Sequence, residues 1–346
     1  MNPVERGIRK VDGWQRRFGP AAFIFGVSKK FGDDNGGVLV SNLAFTAFLS
    51  MFPLLLVLTT ILGLVASYSK YVRIEVINAV SSQVPLIGHT LTENVEQLKH
   101  NSIIGLIFGF IALIWGATGL AQAGLFTMEQ VWNLPGPDRP GYFQRLGRAM
   151  LFLGMLGGGV IATTLLATLS SFGPGGAWVS IFSAFGAAAV NSALYIGAFR
   201  ILTPKAVHTR CLLPGAVGGG VVYTVLQFVG TFLVGHYLHS DSAYGIFATV
   251  LGLIAWIYLA VRITVYAAEV NVVLDRRLWP RSILQPPLTV ADRVSLSLQA
   301  TQNRRRPEQH VEVTFDDHDH DHDHEQGHDL EHPHGPPSPK RSAANP

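Results

Sequence analysis

Six long apolar runs restrict what this chain can fold into more than any other feature of its sequence. Each run has 23 to 30 residues, and only the last contains a full charge, Arg262. About 20 apolar residues are enough for a helix to cross the hydrocarbon core of a bilayer. The runs cover residues 38–67, 102–126, 149–172, 177–199, 211–235 and 243–268. Several runs of this length predict a polytopic membrane protein.

The composition supports helices rather than strands in the membrane. Of the 346 residues, 48% are hydrophobic and 14% are charged, whereas an average soluble domain has about 25% charged residues. Hydrocarbon offers no water to the backbone, so a span must satisfy its own N–H and C=O groups, as a helix does. Outer-membrane strands would show shorter segments of alternating polarity. We therefore predict an all-α fold, a bundle of about six transmembrane helices.

The distribution of lysine and arginine predicts the orientation of this bundle. The N-terminal 37 residues carry seven of these residues, and the connections expected on the same side, with the start of the tail, carry nine more. The opposite side has three, which are Lys70, Arg73 and Lys99. Because basic residues accumulate in cytoplasmic connections, we expect both the N-terminus and the C-terminus to be cytoplasmic.

Three further segments surround or interrupt the predicted membrane domain, which covers residues 38–275. Residues 1–37 are basic, and they predict a cytoplasmic segment whose end either lies in the headgroup layer or forms a plain first turn of the bundle. Residues 69–101 have apolar residues at helical spacing, which predicts amphipathic helices on the outer face. Residues 286–346 are rich in Pro, Gln, Asp, His and Arg, and they predict a disordered cytoplasmic tail.

Pairs of glycines with the spacing G-x-x-x-G recur in the apolar runs and allow helix backbones to approach closely. The pairs are Gly105 and Gly109, Gly154 and Gly158, and Gly215 and Gly219. Packing within one bundle is the first interpretation of these pairs. Contact between two copies of the chain, in a homo-oligomer, is the second.

Five segments of the chain resemble a known family. They are LAFTAFLSMFPLLLVL (43–58), MEQVWNLP (128–135), LYIGAFRILTP (194–204), CLLPGAV (211–217) and YGIFATVLGLIAWIYLAVRITVYAAEVN (244–271). In this order, the segments resemble the YihY/BrkB family of bacterial inner-membrane proteins, formerly labelled ribonuclease BN. The resemblance implies six spans with both ends inside, which agrees with the charge distribution.

The resemblance implies a multi-pass protein of the bacterial inner membrane but no settled biochemical activity. Recurring suggestions for the family are envelope integrity and the movement of lipids or anions. This chain departs from the family at Glu129 and Gln130, where relatives often have Asn and Arg. We expect a transporter or lipid-handling protein whose partners are membrane lipids, with an anionic lipid or a small molecule as substrate. A structural membrane partner and a metal-responsive protein are the alternatives.

Polar side chains inside the predicted spans are the candidates for contact with a lipid or substrate, because such groups are costly in hydrocarbon. Asn42, Thr46 and Ser50 recur at every fourth residue and form one stripe just before Pro53. This stripe either lines a passage or satisfies carbonyl groups that the proline frees. The other candidates on the spans and at their ends are Gln122, Asn191, Arg200, Arg262 and Glu269.

Arg262 and Glu269 are seven residues apart and therefore share one face of the last span. In one interpretation, Arg262 extends to the cytoplasmic headgroups, while Glu269 caps the helix end or pairs with a nearby arginine. In the other, Arg262 holds an anionic headgroup or substrate together with Arg200 or Arg210.

Catalytic motifs are absent from the sequence. It has no G-x-S-x-G, no H-E-x-x-H and no P-loop. It also has no long soluble region that could provide a basic groove for RNA. We therefore expect no enzymatic activity, ribonuclease activity included, no nucleic-acid partner and no required cofactor.

Histidine and aspartate alternate near the C-terminus, in FDDHDHDHDHEQGHDLEHPH (315–334). Imidazole and carboxylate groups on a flexible segment bind zinc, nickel or copper with little geometric selectivity. The predicted metal ligands are His318, His320, His322, His324, Asp319, Asp321 and Asp323. Because the spans lack a path of such ligands, metal handling is an alternative rather than the main hypothesis.

Overall fold

A computed structural model describes residues 3–66, 102–171, 177–203, 207–237 and 245–315, and these residues are helical apart from turns and connections. The predicted all-α fold is confirmed for this part of the chain. Its helices are α1 (Pro3–Arg17), α2 (Gly19–Asp33), α3 (Gly36–Ala66), α4 (Ser102–Val131), α5 (Tyr142–Ser171), α6 (Ala177–Leu202), α7 (Thr209–Tyr237), α8 (Gly245–Arg276) and α9 (Val290–Gln302). Residues up to Val311 form one compact unit, and of a second unit, 312–346, the structure describes residues 312–315.

Five helices of the described residues are long and apolar enough to cross a membrane. The segments are Gly36–Leu56, Ile107–Val131, Ser183–Leu202, Thr209–Phe232 and Val250–Arg276. They lie on α3, α4, α6, α7 and α8. The third predicted span falls on α5, which has 30 residues. The described part of α5 does not contain one of the five segments. This third predicted span therefore stays a prediction, as does the cytoplasmic location of both termini.

The six long helices pack in chain order and close into a ring. Each helix from α3 to α7 lies against the next one, and α8 packs back against α3. Side chains such as Leu125, Phe199, Leu212 and Val265 are almost fully buried between them. Many large apolar side chains point outward instead, for example Trp115 on α4. An outward apolar surface of this kind suits helices that are surrounded by lipid.

The basic N-terminal segment is part of this bundle. It forms α1 and α2, and α2 packs against α8 and α3. A Cβ atom on Gly26 would lie 3.1 Å from the carbonyl oxygen of Leu278, so α2 approaches the chain that follows α8 closely. Lys30, near the end of α2, is fully buried. The predicted position of residues 1–37 in the headgroup layer stays a prediction.

The region after α8 differs from the sequence-based expectation of disorder from residue 286 onward. Residues Val290–Gln302 form α9, and Thr289 caps it. The Thr289 hydroxyl accepts a hydrogen bond from the Asp292 N–H, while the Asp292 carboxylate accepts one from the Thr289 N–H, which is a capping box. Polar contacts of the buried Asp292 anchor this helix, while Ala291 is buried and Leu298 packs against the apolar core. The predicted outer segment 69–101 and the tail from residue 316 lie outside the described residues.

Glycines on α7 allow it to pack tightly against its neighbours. A Cβ atom on Gly215 would lie 2.0 Å from the carbonyl oxygen of Ala267, and one on Gly219 would lie 2.8 Å from the Ala267 Cβ. This G-x-x-x-G pair therefore serves packing within the bundle. A Cβ atom on Gly154 or Gly158 would have no described atom within 4 Å, because these two glycines face outward.

Replacing Gly215 with alanine should destabilise the protein by about 3 kcal/mol, because the new methyl group would force α7 and α8 apart. Gly218→Ala is the matched control on the same helix, since a Cβ there meets nothing within 4 Å among the described residues. Thermal unfolding of the purified protein in detergent measures both variants. Equal melting temperatures for the two variants would contradict the close approach of α7 and α8.

Candidate functional site

A group of buried charges lies where α2 ends, α3 begins and α4 ends, against the last third of α8. The side chains of Lys30 and Glu269 are 0% exposed, and that of Asp34 is 2% exposed. The Lys30 ammonium pairs with Asp34, donates to the carbonyl oxygen of Val131 at 3.1 Å, and lies 3.7 Å from Glu269 Oε2. One cation thus faces two carboxylates in an environment with little access to water.

Local sequence explains how Lys30 and Asp34 meet. They are four residues apart, so they share a face at the last turn of α2. Asn35 follows with φ of 54°, a left-handed conformation that asparagine tolerates better than most residues, and it turns the chain into α3. Burial raises the pKa of Asp34 above its ordinary value, and the attraction of Lys30 only partly opposes this effect.

Asn133 extends the group of charges to α9. It follows α4 with φ of 48°. Its Nδ2 donates to Asp34 Oδ1 at 3.1 Å and to Gln302 Oε1 at 2.9 Å. A continuous polar chain therefore runs from Glu269 on α8 through Lys30 and Asp34 to the end of α9.

A second buried group surrounds Asp292 on α9. Lys29 Nζ and Arg281 Nε each lie 2.9 Å from Asp292 Oδ1, and the Ser282 hydroxyl donates to Oδ2 at 2.6 Å. Arg281 also pairs with Asp33 at 2.6 Å. Burial alone would raise the pKa of Asp292, but hydrogen bonds from Ser282, Lys29 and Thr289 outweigh it and hold this pKa well below its ordinary value.

Glu129 is the centre of a third group, between α4 and α5. Two hydrogen bonds of 2.8 and 2.9 Å join its carboxylate to Arg145, and Arg139 Nε lies 3.7 Å away. The side chain of Glu129 is 1% exposed. Glu129, one of the two residues at which this chain departs from the family pattern, is therefore fully paired with arginines.

An open polar cleft of about 790 Å³ lies beside these groups. The turn between α2 and α3, the connection after α4 and the segment from Gln299 to Arg305 form its walls. Its charged lining residues are Asp33, Asp34, Arg139, Arg304 and Arg305. No side chain of the described lining is apolar, so the cleft suits a polar or charged ligand.

Of the stripe predicted on α3, Ser50 joins two helices, and none of the three residues lines this cleft. The Ser50 hydroxyl lies 2.8 Å from the carbonyl oxygens of both Thr46 and Gly116, the second of which is on α4. Thr46 donates to the Asn42 carbonyl oxygen at 2.9 Å, and the Asn42 side chain is exposed. Pro53 packs near Gly116, since a Cβ there would lie 3.1 Å from Pro53 Cγ.

The predicted site residues Gln122, Arg200 and Arg262 lie on three different helices. Gln122, Arg200 and Arg262 are exposed. Arg262 lies 5.8 Å from the ring centre of Tyr266, and Arg200 donates to the Val207 carbonyl oxygen at 3.2 Å. These contacts involve different partners, and an anion site that Arg262 shares with Arg200 or Arg210 stays a prediction.

Asn191 belongs to a polar contact between α6 and α7. Its Nδ2 donates to Thr224 Oγ1 at 2.9 Å and to Gln227 Oε1 at 2.8 Å. Further along α6, the Tyr195 hydroxyl lies 3.0 Å from Thr264 Oγ1 on α8. These contacts connect three helices of the ring through polar groups.

Sequence reasoning identified Glu269 but missed most of its surroundings. The residues it missed are Lys30, Asp34 and Asn133 in this group, and Arg281 and Asp292 in the second group. The spacing of Lys30 and Asp34 and the T-x-x-D signature at Thr289 were the available signals. The predicted metal ligands 318–324 lie outside the described residues, and within the described residues no three His, Cys, Asp or Glu side chains form a group that could hold a metal ion.

Comparison with known proteins relates the chain to bacterial membrane proteins. It is 25% identical to a UPF0761 membrane protein of Psychrobacter sp. over 284 residues, which cover 76% of this chain and 50% of the relative. UPF0761 membrane proteins of Pseudomonas aeruginosa and Chlorobium luteolum are 24% and 26% identical, over 80% of this chain and 68% and 66% of their own lengths. The chain thus spans between half and about two-thirds of the length of these relatives. Their names describe membrane proteins and mention no activity.

No solved structure matches the chain. The family model described as Virulence factor BrkB matches residues 27–287, which include α3 to α8 and the buried charges Lys30, Asp34 and Glu269. This match covers most of the chain and agrees with the resemblance in the five quoted segments. The chain is therefore an integral membrane protein that belongs to the Virulence factor BrkB family.

Proposed function

We propose that this protein is a transporter or lipid-handling protein of the bacterial inner membrane that acts on an anionic lipid or a small anion. Glu269 carries the proposal. It lies on a helix long and apolar enough to span the membrane, and its side chain is fully buried. Charges in such positions are costly and by default mark a pathway or a binding site.

The geometry around Glu269 is poor for a purely structural ion pair. Lys30 Nζ is 3.7 Å away, and neither Glu269 carboxylate oxygen has a hydrogen-bond partner among the described residues. A buried pair stabilises a protein only when hydrogen bonds satisfy its remaining polar atoms. An ionisable group held in this way is suited to exchange partners during a transport step.

Reconstitution into vesicles tests the proposal. The vesicles contain phosphatidylcholine with fluorescent phosphatidylglycerol, and an external quencher reports the movement of the labelled lipid between leaflets. Efflux of trapped inorganic phosphate tests a small anion in parallel. We expect the natural protein to accelerate at least one of these movements, and Glu269→Gln to slow it about tenfold or more, the loss of one charge-assisted interaction.

Asp275→Asn is the matched control, because Asp275 lies near the end of the same helix but its side chain is 30% exposed. Gel filtration and the melting temperature verify that both variants are folded. If the natural protein moves neither lipid nor phosphate faster than protein-free vesicles, the proposal fails and a structural membrane partner is favoured. Equal rates for the natural protein and Glu269→Gln would remove Glu269 from the mechanism.

A further inference from the structure

The polar cleft beside the buried charges has more positive than negative charge available to a ligand. Its two acidic residues already have cations of their own, since Asp33 pairs with Arg281 at 2.6 Å and Asp34 pairs with Lys30. Both of these cations are almost fully buried. Each carboxylate of the cleft therefore has a cation behind it, on the side of the bundle, which Asp34 shares with Glu269 and Asp33 shares with Asp292.

The three arginines of the cleft are less completely paired. Arg304 lies 3.2 Å from Asp138, whose side chain is 55% exposed. Arg139 is 3.7 Å from Glu129, which Arg145 already binds through two hydrogen bonds. Arg305 forms no ion pair within the described residues.

Several N–H donors around the cleft also lack acceptors. Arg139 Nε, Arg304 Nε and Gln299 Nε2 are buried atoms that have no hydrogen-bond partner among the described residues. A buried donor without an acceptor costs about 1–3 kcal/mol. An anion with several oxygens would satisfy such donors at once, and the planar guanidinium group matches phosphate oxygens in pairs.

Gly136 brings these donors together. Its N–H donates to the Arg304 carbonyl oxygen at 2.9 Å. A Cβ atom there would lie 3.2 Å from that oxygen and 3.5 Å from Arg305 Cα, so a side chain would push the two segments apart. The close approach places Arg304 and Arg305 beside the connection that carries Arg139.

We propose that the cleft formed by Arg139, Gln299, Arg304 and Arg305 binds a phosphate group, carried by a phospholipid headgroup or free in solution. This inference deepens the proposed function, because it names the chemical class of the ligand. Binding and transport are measured separately, however. A protein that binds phosphate but moves no anion refutes the proposed function and leaves this site standing.

Titration of the full chain in detergent tests the site with two probes. Inorganic phosphate represents the free anion, and short-chain phosphatidylglycerol represents the lipid headgroup. We expect saturable binding of at least one probe, and the tighter one identifies the source. Arg304→Gln and Arg305→Gln should each weaken binding about tenfold or more, the loss of one charge-assisted hydrogen bond.

Arg306→Gln is the matched control, because Arg306 is adjacent in sequence and exposed but does not line the cleft. It should bind as the natural protein does. Arg305 has no ion pair within the described residues, so Arg305→Gln should keep the melting temperature of the natural protein. Absence of saturable binding to both probes, or the same loss of affinity in Arg306→Gln as in Arg305→Gln, overturns the inference.

Discussion

Replacing Lys30 with methionine should destabilise the protein by about 3–5 kcal/mol, the cost of leaving buried charges without a partner. Lys30 is the cation nearest to both Glu269 and Asp34, and its side chain is 0% exposed. Methionine has a similar length, so the substitution removes the charge and leaves little cavity. The melting temperature in detergent should fall on the order of 10 °C.

The effect of Lys30→Met should depend on pH. Burial raises the pKa of Asp34, and the attraction of Lys30 opposes this rise. Without Lys30, the folded protein should therefore take up a proton on Asp34 at a pH above the ordinary carboxyl value of about 4. In that window the folded state binds more protons than the unfolded state, so the variant should regain stability as the pH falls.

Two further variants separate loss of the ion pair from a general effect of the substitution. Lys30→Met with Glu269→Gln removes both charges and should recover part of the lost stability. Lys10→Met changes an exposed lysine on α1 and should leave the melting temperature unchanged. The buried pairing is refuted if Lys30→Met has the melting temperature of the natural protein. It is also refuted if the double variant is less stable than the sum of the two single changes predicts.

The positions of the long helices could be predicted because a bilayer places a simple demand on sequence. Over the residues that the structure describes, each of the six apolar runs lies on one helix, and α3 begins within two residues of the predicted start at Val38. The end of α8 was missed because the apolar run stops at Ala268, whereas the helix continues to Arg276. Glu269 and Asn271 continue the helix in buried positions, which only the packing of α2 and α7 makes possible.

The candidate site was harder to predict, because its residues come from distant parts of the sequence. Glu269 stands out by itself as a carboxylate at the end of an apolar run. Lys30 is 239 residues away and contributed to the sequence analysis only as a positive charge. No periodicity connects the two residues, so their contact depends on how the ring of helices closes. The position of Asn133 between Asp34 and Gln302 depends on the same closure.

Replacing Asp292 with asparagine should detach α9 and the segment before it from the bundle. Asp292 and Arg281 have side chains that are 0% and 1% exposed, and Lys29 also pairs with this carboxylate. Removing the shared carboxylate leaves buried Arg281 without its nearest partner on α9, at a cost of about 3–5 kcal/mol. Trypsin should then cleave after Arg293, which lies within α9, about 100-fold faster or more, because cleavage there follows the population of the detached state.

The pH dependence of the same contact distinguishes the charge of Asp292 from its capping role. Hydrogen bonds hold the pKa of Asp292 well below its ordinary value despite burial, so its contribution is present above the unfolded pKa of about 4 and is lost as the pH falls further. The difference in melting temperature between the natural protein and Asp292→Asn should stay constant between about pH 8 and pH 5 and shrink only below about pH 4. Asp275→Asn, a change at a partly exposed residue near the end of α8, is the control and should leave the melting temperature close to that of the natural protein. Trypsin cleavage of Asp292→Asn at the natural rate would mean that contacts such as those of Gln302 hold α9 in place without the carboxylate.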